Sequence, residues 1–353
     1  MKSRQNHIDG LRGIAALLVL LQHLIEQLGS LAPAHAVVAP ALSMFFLQYI
    51  DMGKLGVVAF FAISGFIIPY SFNPPAPRTG FVISRFFRLY PAYWLSIAVA
   101  MVLLPLIGRP EPSSMQVLVN LTMLQDALHQ PRVLDVYWTL FIELLFYAMC
   151  LLGYRWGLLR SARAILVVFL CLLAVAFAGA WIRGQGGPRI PTAIPLYLAI
   201  MWFSAALRLF VLEGDRQAKR YCVAMLPLLL LATPYIWSMA YSDQSHKESV
   251  LASIMGIYAG LAMFLWCVFR KVFGASLWVY FGSISYSIYL FHPLALDLGA
   301  YWAADLAWPH AGVVLAVVAT GLSVIVAHLV FNGVEKPAIN WGRALSRRFV
   351  GSR

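Results

Sequence analysis

Ten stretches of this chain are long and apolar enough to cross a bilayer, which leaves few folds open to it. They cover residues 11–28, 53–72, 89–108, 135–153, 163–182, 192–212, 221–239, 249–269, 274–296 and 311–333. A helix needs ~20 mainly apolar residues to span ~30 Å of hydrocarbon, and it satisfies its backbone hydrogen bonds internally where water is missing. The composition agrees. Hydrophobic residues make up 61% of the 353 and charged residues 11%, against about 45–50% and about 25% in soluble domains. An excess of that size, spread along the whole length, excludes a soluble enzyme, a disordered chain and a disulfide scaffold. The expected fold class is an all-α polytopic membrane protein with about ten transmembrane helices.

The connections are short, so no soluble domain is inserted, and no repeat of fixed period is visible. Pro69, Pro91, Pro195, Pro227 and Pro234 fall in the apolar segments, where neighbouring helices re-satisfy the backbone. Cys150, Cys171, Cys222 and Cys267 lie in apolar runs without C-x-x-C spacing and read as small hydrophobes. The first window follows Lys2 and Arg4 and precedes Ala34-His35-Ala36, which resembles a signal-peptide cleavage site. Its 18 residues are too many for a signal core, and it contains Arg12, His23 and Glu26. A retained helix is expected.

The net charge of +12 is explained by topology. Of the 26 Lys and Arg residues, 20 fall on the side of the N-terminus and C-terminal tail and 6 in the opposite loops (Lys54, Arg109, Arg132, Arg183, Arg189 and Lys247). The positive-inside rule then places both termini in the cytoplasm and requires an even number of spans. Nucleic acid is not an expected partner; membrane lipid is.

Ionisable groups at membrane depth are expensive and usually face a bundle interior or a wet cavity, so they are the informative residues. From Arg12 to His23 the first helix turns through about 1100°, three turns plus ~20°, so the two share a face ~16 Å apart along the axis. Asp9 falls within ~40° of the same line. Glu143, in Trp138-x-Leu140-x-x-Glu143-x-x-Phe146-Tyr147, must be neutral or paired among its apolar neighbours. Measured from the outer helix ends, His23 and Glu143 lie ~8 and ~12 Å deep, near enough to meet. A His–Glu pair suits general acid–base chemistry; it also suits a structural clamp between helices. Arg85 and Arg88 sit three apart beside Tyr90 and Tyr93, a geometry fitted to phosphate oxygens as well as to interfacial anchoring. Ser64 and Gly65 favour close helix packing. His292 lies at a depth similar to His23, as an acceptor-site or an interfacial residue, and Glu335 is placed to partner a mouth arginine. Asn120-x-Thr122 borders an apolar stretch and reads as a chance glycosylation match. A proton-coupled transporter or flippase would also want a buried His, Glu and arginines, though paired broken helices in two related halves are not seen.

The order of the motifs says more than any one of them. Asp9-Gly10-Leu11-Arg12-Gly13 followed by His23, then Phe61-Ala62-Ile63-Ser64-Gly65-Phe66, then Arg85-x-x-Arg88-x-x-Pro91, then Trp138-x-Leu140-x-x-Glu143, then Ser285-Tyr286-Ser287-x-Tyr289-Leu290-x-His292-Pro293, then Glu335-Lys336-Pro337 resembles the family 3 membrane acyltransferases. The resemblance runs from residue 6 to about 340. It implies transfer of an acyl group, usually acetyl from cytoplasmic acetyl-CoA, to a hydroxyl across the membrane, commonly on surface or lipid-linked glycans, at a bacterial inner membrane. It implies that His23 is the catalytic residue, that Glu143 is important to activity, and that Arg12, Arg85 and Arg88 hold the donor. Asp9, Ser64, Tyr289, His292 and Glu335 are expected in the substrate site. Acetyl-CoA is the expected acyl donor with no metal, and polysaccharide-synthesis machinery or a second copy of the chain is a possible partner. Residues 1–340 are expected to form the transmembrane acyltransferase domain and 341–353 a basic cytoplasmic tail. Because the sequence ends soon after the tenth window, no appended soluble domain is expected to pass the acyl group onward.

Overall fold

The computed structural model describes residues 5–31, 38–72, 77–241 and 249–351, and among these every regular element is helical. In chain order the helices are α1 (Asn6–Leu31), α2 (Val38–Gln48), α3 (Met52–Ile67), α4 (Pro77–Leu106), α5 (Ser114–Asn120), α6 (Trp138–Arg155) and α7 (Ala162–Gly184). They continue with α8 (Ala193–Glu213), α9 (Arg216–Tyr241), α10 (Val250–Arg270), α11 (Ser276–Ala303), α12 (His310–Val330) and α13 (Lys336–Gly351). Lys2, Arg4, Ala34-His35-Ala36 and Lys247 lie outside the described residues.

Nine of the ten expected spans form helices that are long and apolar enough to cross a membrane. The tenth, 274–296, forms the 28-residue α11, whose serines, tyrosines and His292 hold its hydropathy below that of the others. Its path accounts for this. Gly282 meets the backbone of Asp9 near the start of α1, and His292 stacks on His23 further along, so α11 runs parallel to α1 over the same depth. A helix sheltered inside a bundle needs fewer lipid-compatible side chains than one facing lipid. The protein is thus an all-α polytopic membrane protein, consistent with multi-pass insertion in an inner membrane. The segment expected as a basic tail is helical as far as it is described: α13 runs from Lys336 to Gly351, joined to α12 by a π-helical turn, Phe331–Glu335, that ends at the Glu335-Lys336 junction.

Helix starts follow local chemistry. Ser113, Ser161 and Ser249 cap α5, α7 and α10 by accepting backbone N–H groups three residues on, and Asp51 does the same for α3 at Lys54. Gly214 ends α8 at φ +70°, a left-handed position that suits glycine.

Helix α1 is the hub, packed on α3, α10, α11 and α12. Its crossing with α11 depends on missing side chains, since a Cβ on Gly282 would lie 1.8 Å from the Asp9 carbonyl oxygen. On the other side, a Cβ on Gly65 of α3 would lie 2.0 Å from the Met201 carbonyl oxygen of α8, so the packing role expected of Gly65 is what the structure shows. Gly282→Ala is expected to force α1 and α11 apart and destabilise the protein by about 1–3 kcal/mol, the usual scale of overpacking. A thermal-unfolding midpoint in detergent unchanged from the parent would contradict that crossing.

Candidate active site

Two cavities lie end to end along α1. The inner one, about 100 Å³, is walled by Arg12 of α1, Arg85 and Arg88 of α4, Ser64 of α3, Glu143 and Tyr147 of α6 and Tyr286 of α11. Helical spacing builds it: residues three or four apart share a face, which pairs Arg85 with Arg88 and Glu143 with Tyr147. Each arginine is held differently. Arg88 Nη1 lies 2.7 Å from Glu335 Oε1, and the Ser287 hydroxyl donates to Glu335 Oε2 at 2.8 Å. Arg12 Nη1 is 3.7 Å from Asp9 Oδ1. The Arg85 guanidinium lies 5.5 Å from both the Phe81 and Tyr147 ring centroids, and its buried Nε has no hydrogen-bond partner among the described residues. Three guanidinium groups therefore face this space against one carboxylate, Glu143, which itself accepts the Tyr147 hydroxyl. Such a wall offers several guanidinium N–H donors, which suit a multiply charged anion.

The outer cavity is larger, about 600 Å³, and His23 stands in its wall with its side chain 41% exposed. His23 Nδ1 lies 3.4 Å from Glu26 Oε2. Gln22 Nε2 donates to Glu26 Oε1 at 2.7 Å, while Gln22 Oε1 accepts the Met52 backbone N–H at 3.1 Å. Gln22 is almost fully buried, so it fixes the carboxylate that faces the imidazole. Behind His23, the His292 ring is stacked at 5.4 Å and 19°. His292 is fully buried, with Nδ1 3.1 Å from the Ile288 carbonyl oxygen, and so is not interfacial. The remaining wall mixes aromatic faces (Trp138, Phe141, Tyr197, Trp237, Tyr241) with the ion pairs Asp51–Lys54 and Asp126–Arg132.

The two spaces meet at Val57 and Tyr289, which line both. The Tyr289 hydroxyl is 2.7 Å from Thr139 Oγ1 and 2.9 Å from the Val136 carbonyl oxygen.

The structure redistributes several sequence expectations. The carboxylate beside His23 is Glu26, not Glu143: Glu143 faces the arginines in the inner cavity, while His23 and Glu26 line the outer one. The physical reason is proximity along the chain. A residue three positions on is always within reach of its neighbour, whereas an inter-helix pair needs two helices to agree in rotation as well as depth. Arg12, Arg85 and Arg88 do converge, as their shared face suggests. Ser64 and Tyr289 reach the cavities, but Asp9, His292 and Glu335, expected in the substrate site, stand behind the wall on Arg12, His23 and Arg88 respectively. Glu335 does partner a mouth arginine. Gln22 and the aromatic wall have no sequence signature, the former because one amide in an apolar helix carries no pattern. Among the described residues, no cluster of three or more His, Cys, Asp and Glu side chains is placed to hold a metal ion.

This arrangement sits in a chain whose residues 5–328 match the family 3 acyltransferase domain profile. The chain belongs to the family 3 acyltransferases. It is also 26% identical over 208 residues to acyltransferase MdmB of Streptomyces mycarofaciens, covering 57% of this chain and 52% of that protein. The match thus spans about half the length of that relative. No solved structure matches significantly. By family and fold it is a polytopic helical membrane protein of the family 3 acyltransferases.

Proposed function

We propose that this family 3 acyltransferase moves an acetyl or other short acyl group from cytoplasmic acyl-CoA to a hydroxyl presented on the opposite membrane face, with a surface or lipid-linked glycan as acceptor. The observation that carries the reading is the contact, at Val57 and Tyr289, between an arginine-lined cavity and the cavity holding His23. Both termini would lie in the cytoplasm, on the side of the Lys and Arg excess, and residues 1–340 would act as one catalytic unit.

The CoA phosphates would lie against Arg85, Arg88 and Arg12, each guanidinium offering several N–H donors in a planar fork. Arg88 is kept in place by Glu335 and Ser287. The pantetheine arm would carry the thioester the ~16 Å between the levels of Arg12 and His23. There, in the tautomer that donates Nδ1–H to Glu26, the imidazole would use Nε2 as the base. Nε2 takes the proton of the acceptor hydroxyl as its oxygen attacks the thioester carbon. The C–O bond forms, the C–S bond breaks, and the proton passes to the departing sulfur, leaving free CoA thiol and an ester. Glu26 stabilises the imidazolium in between, the role an orienting carboxylate plays in hydrolytic triads. The aromatic faces and paired charges of the outer cavity suit a sugar, which stacks its C–H face and hydrogen-bonds by its hydroxyls.

The test is label transfer: membranes containing the protein and their own glycans are given acetyl-CoA labelled in the acetyl group. Alkali-labile label in the glycan fraction is expected, and Glu26→Gln is expected to lower its rate by about 10- to 100-fold with little change in donor KM. Glycans that stay unlabelled with intact protein present would sink the proposal.

A further inference from the structure

The two cavities share two lining side chains, and both are held in place. Val57, of α3, and Tyr289, of α11, line both spaces, so the direct route between the arginines and His23 passes these two side chains. Neither is free to swing aside. The Tyr289 hydroxyl is tied to Thr139 and to the Val136 carbonyl at 2.7 and 2.9 Å, and its ring packs at 6.1 Å against Phe60 and 5.9 Å against His292. Val57 is β-branched and thus nearly confined to one rotamer in a helix. It follows Gly56, where a Cβ would stand 2.5 Å from the Ala15 carbonyl oxygen, so the α3 backbone rests directly on α1.

We infer that Val57 and Tyr289 form a fixed aperture that selects the acyl group by its width, passing narrow unbranched groups towards His23 and holding back branched ones. The inference rests on the acyl-CoA reading above. With its phosphates held by the arginines, the donor must enter acyl end first. Before its carbonyl carbon comes within reach of His23, the acyl carbon bonded to it must pass the aperture, with the thioester sulfur following behind. An acetyl group places a single methyl there, and an isobutyryl group a branched carbon with two. A pocket of fixed width distinguishes groups that differ by a methylene by about tenfold or more.

The full chain in lipid nanodiscs is given acetyl-, propionyl- or isobutyryl-CoA with water as the acceptor. The products are the carboxylic acid and free CoA thiol, and the thiol is measured. The parent is expected to consume acetyl-CoA about tenfold faster than isobutyryl-CoA. Val57→Ala is expected to raise the isobutyryl-to-acetyl ratio by about tenfold, and Val57→Ile to lower the propionyl-to-acetyl ratio several-fold. Each variant is checked for a monodisperse elution peak, and Tyr289→Phe, which loosens the ring without changing its size, replaces Val57→Ala should the latter not fold. Ratios that stay constant across folded variants overturn the aperture while leaving acyl-CoA as the donor. A folded parent that releases no thiol from any of the three donors overturns the donor reading and the aperture with it.

Discussion

His23→Ala should lower acyl transfer by about 10²- to 10⁴-fold, the range general bases supply, while leaving insertion and donor binding intact. The geometry makes this substitution unusually interpretable. His23 faces a cavity with its side chain 41% exposed, so its removal leaves little new buried void. The helix around it is held by other contacts: Gln22 bonds the backbone of Met52, and α1 packs on α3 and α11 along its length. The residue left behind is Glu26, which retains Gln22 as a partner. Label transfer to glycan and acetyl-CoA affinity, measured on the same preparation, should therefore separate cleanly. Transfer at the parental rate in a well-folded His23→Ala protein refutes the assigned role.

The second large effect is expected at the donor end. Arg85→Ala should weaken acetyl-CoA binding by about 10- to 100-fold, the loss of one or two charge-assisted hydrogen bonds, with a much smaller change in kcat. Arg85 is the cleaner choice of the two mouth arginines, because no carboxylate among the described residues is within ion-pair distance of it and its buried Nε has no partner. Arg88→Ala would also strand Glu335, whose side chain is fully buried and 2.7 Å from the guanidinium. Stranding a buried charge costs about 3–5 kcal/mol of stability, so a loss of affinity there would be mixed with a loss of fold. Affinity measured by titration in detergent decides the matter. An Arg85→Ala protein that binds acetyl-CoA as the parent does removes Arg85 from the donor site.

The sequence made some of this structure legible because some of it is one-dimensional. Hydrophobic runs report spans directly, and all ten windows became long helices. Helical phase within a single segment reports shared faces, and Arg85 and Arg88 do reach the same cavity, as their spacing predicts. What failed was inference across helices. Depth alone matched His23 to Glu143, but rotation about α6 turns Glu143 towards the guanidinium groups, where its charge is compensated. Glu26 was in view on α1, yet one more acidic residue near a helix end has no signature until its neighbour Gln22 is seen bonding both it and Met52. The burial of His292 and the aromatic outer wall likewise come from tertiary packing, which no periodicity encodes.

A single helix carries both the arginine of the inner chamber and the imidazole of the outer one, and their separation is therefore set by covalent geometry. Helices sliding or tilting against each other cannot stretch it. Part of the outer chamber has no such template: Asp126, Arg132 and Asp135 come from the segment between α5 and α6. On the acyl-transfer reading proposed above, changes in that segment would alter which alcohol is received while the gauge set by α1 stays the same.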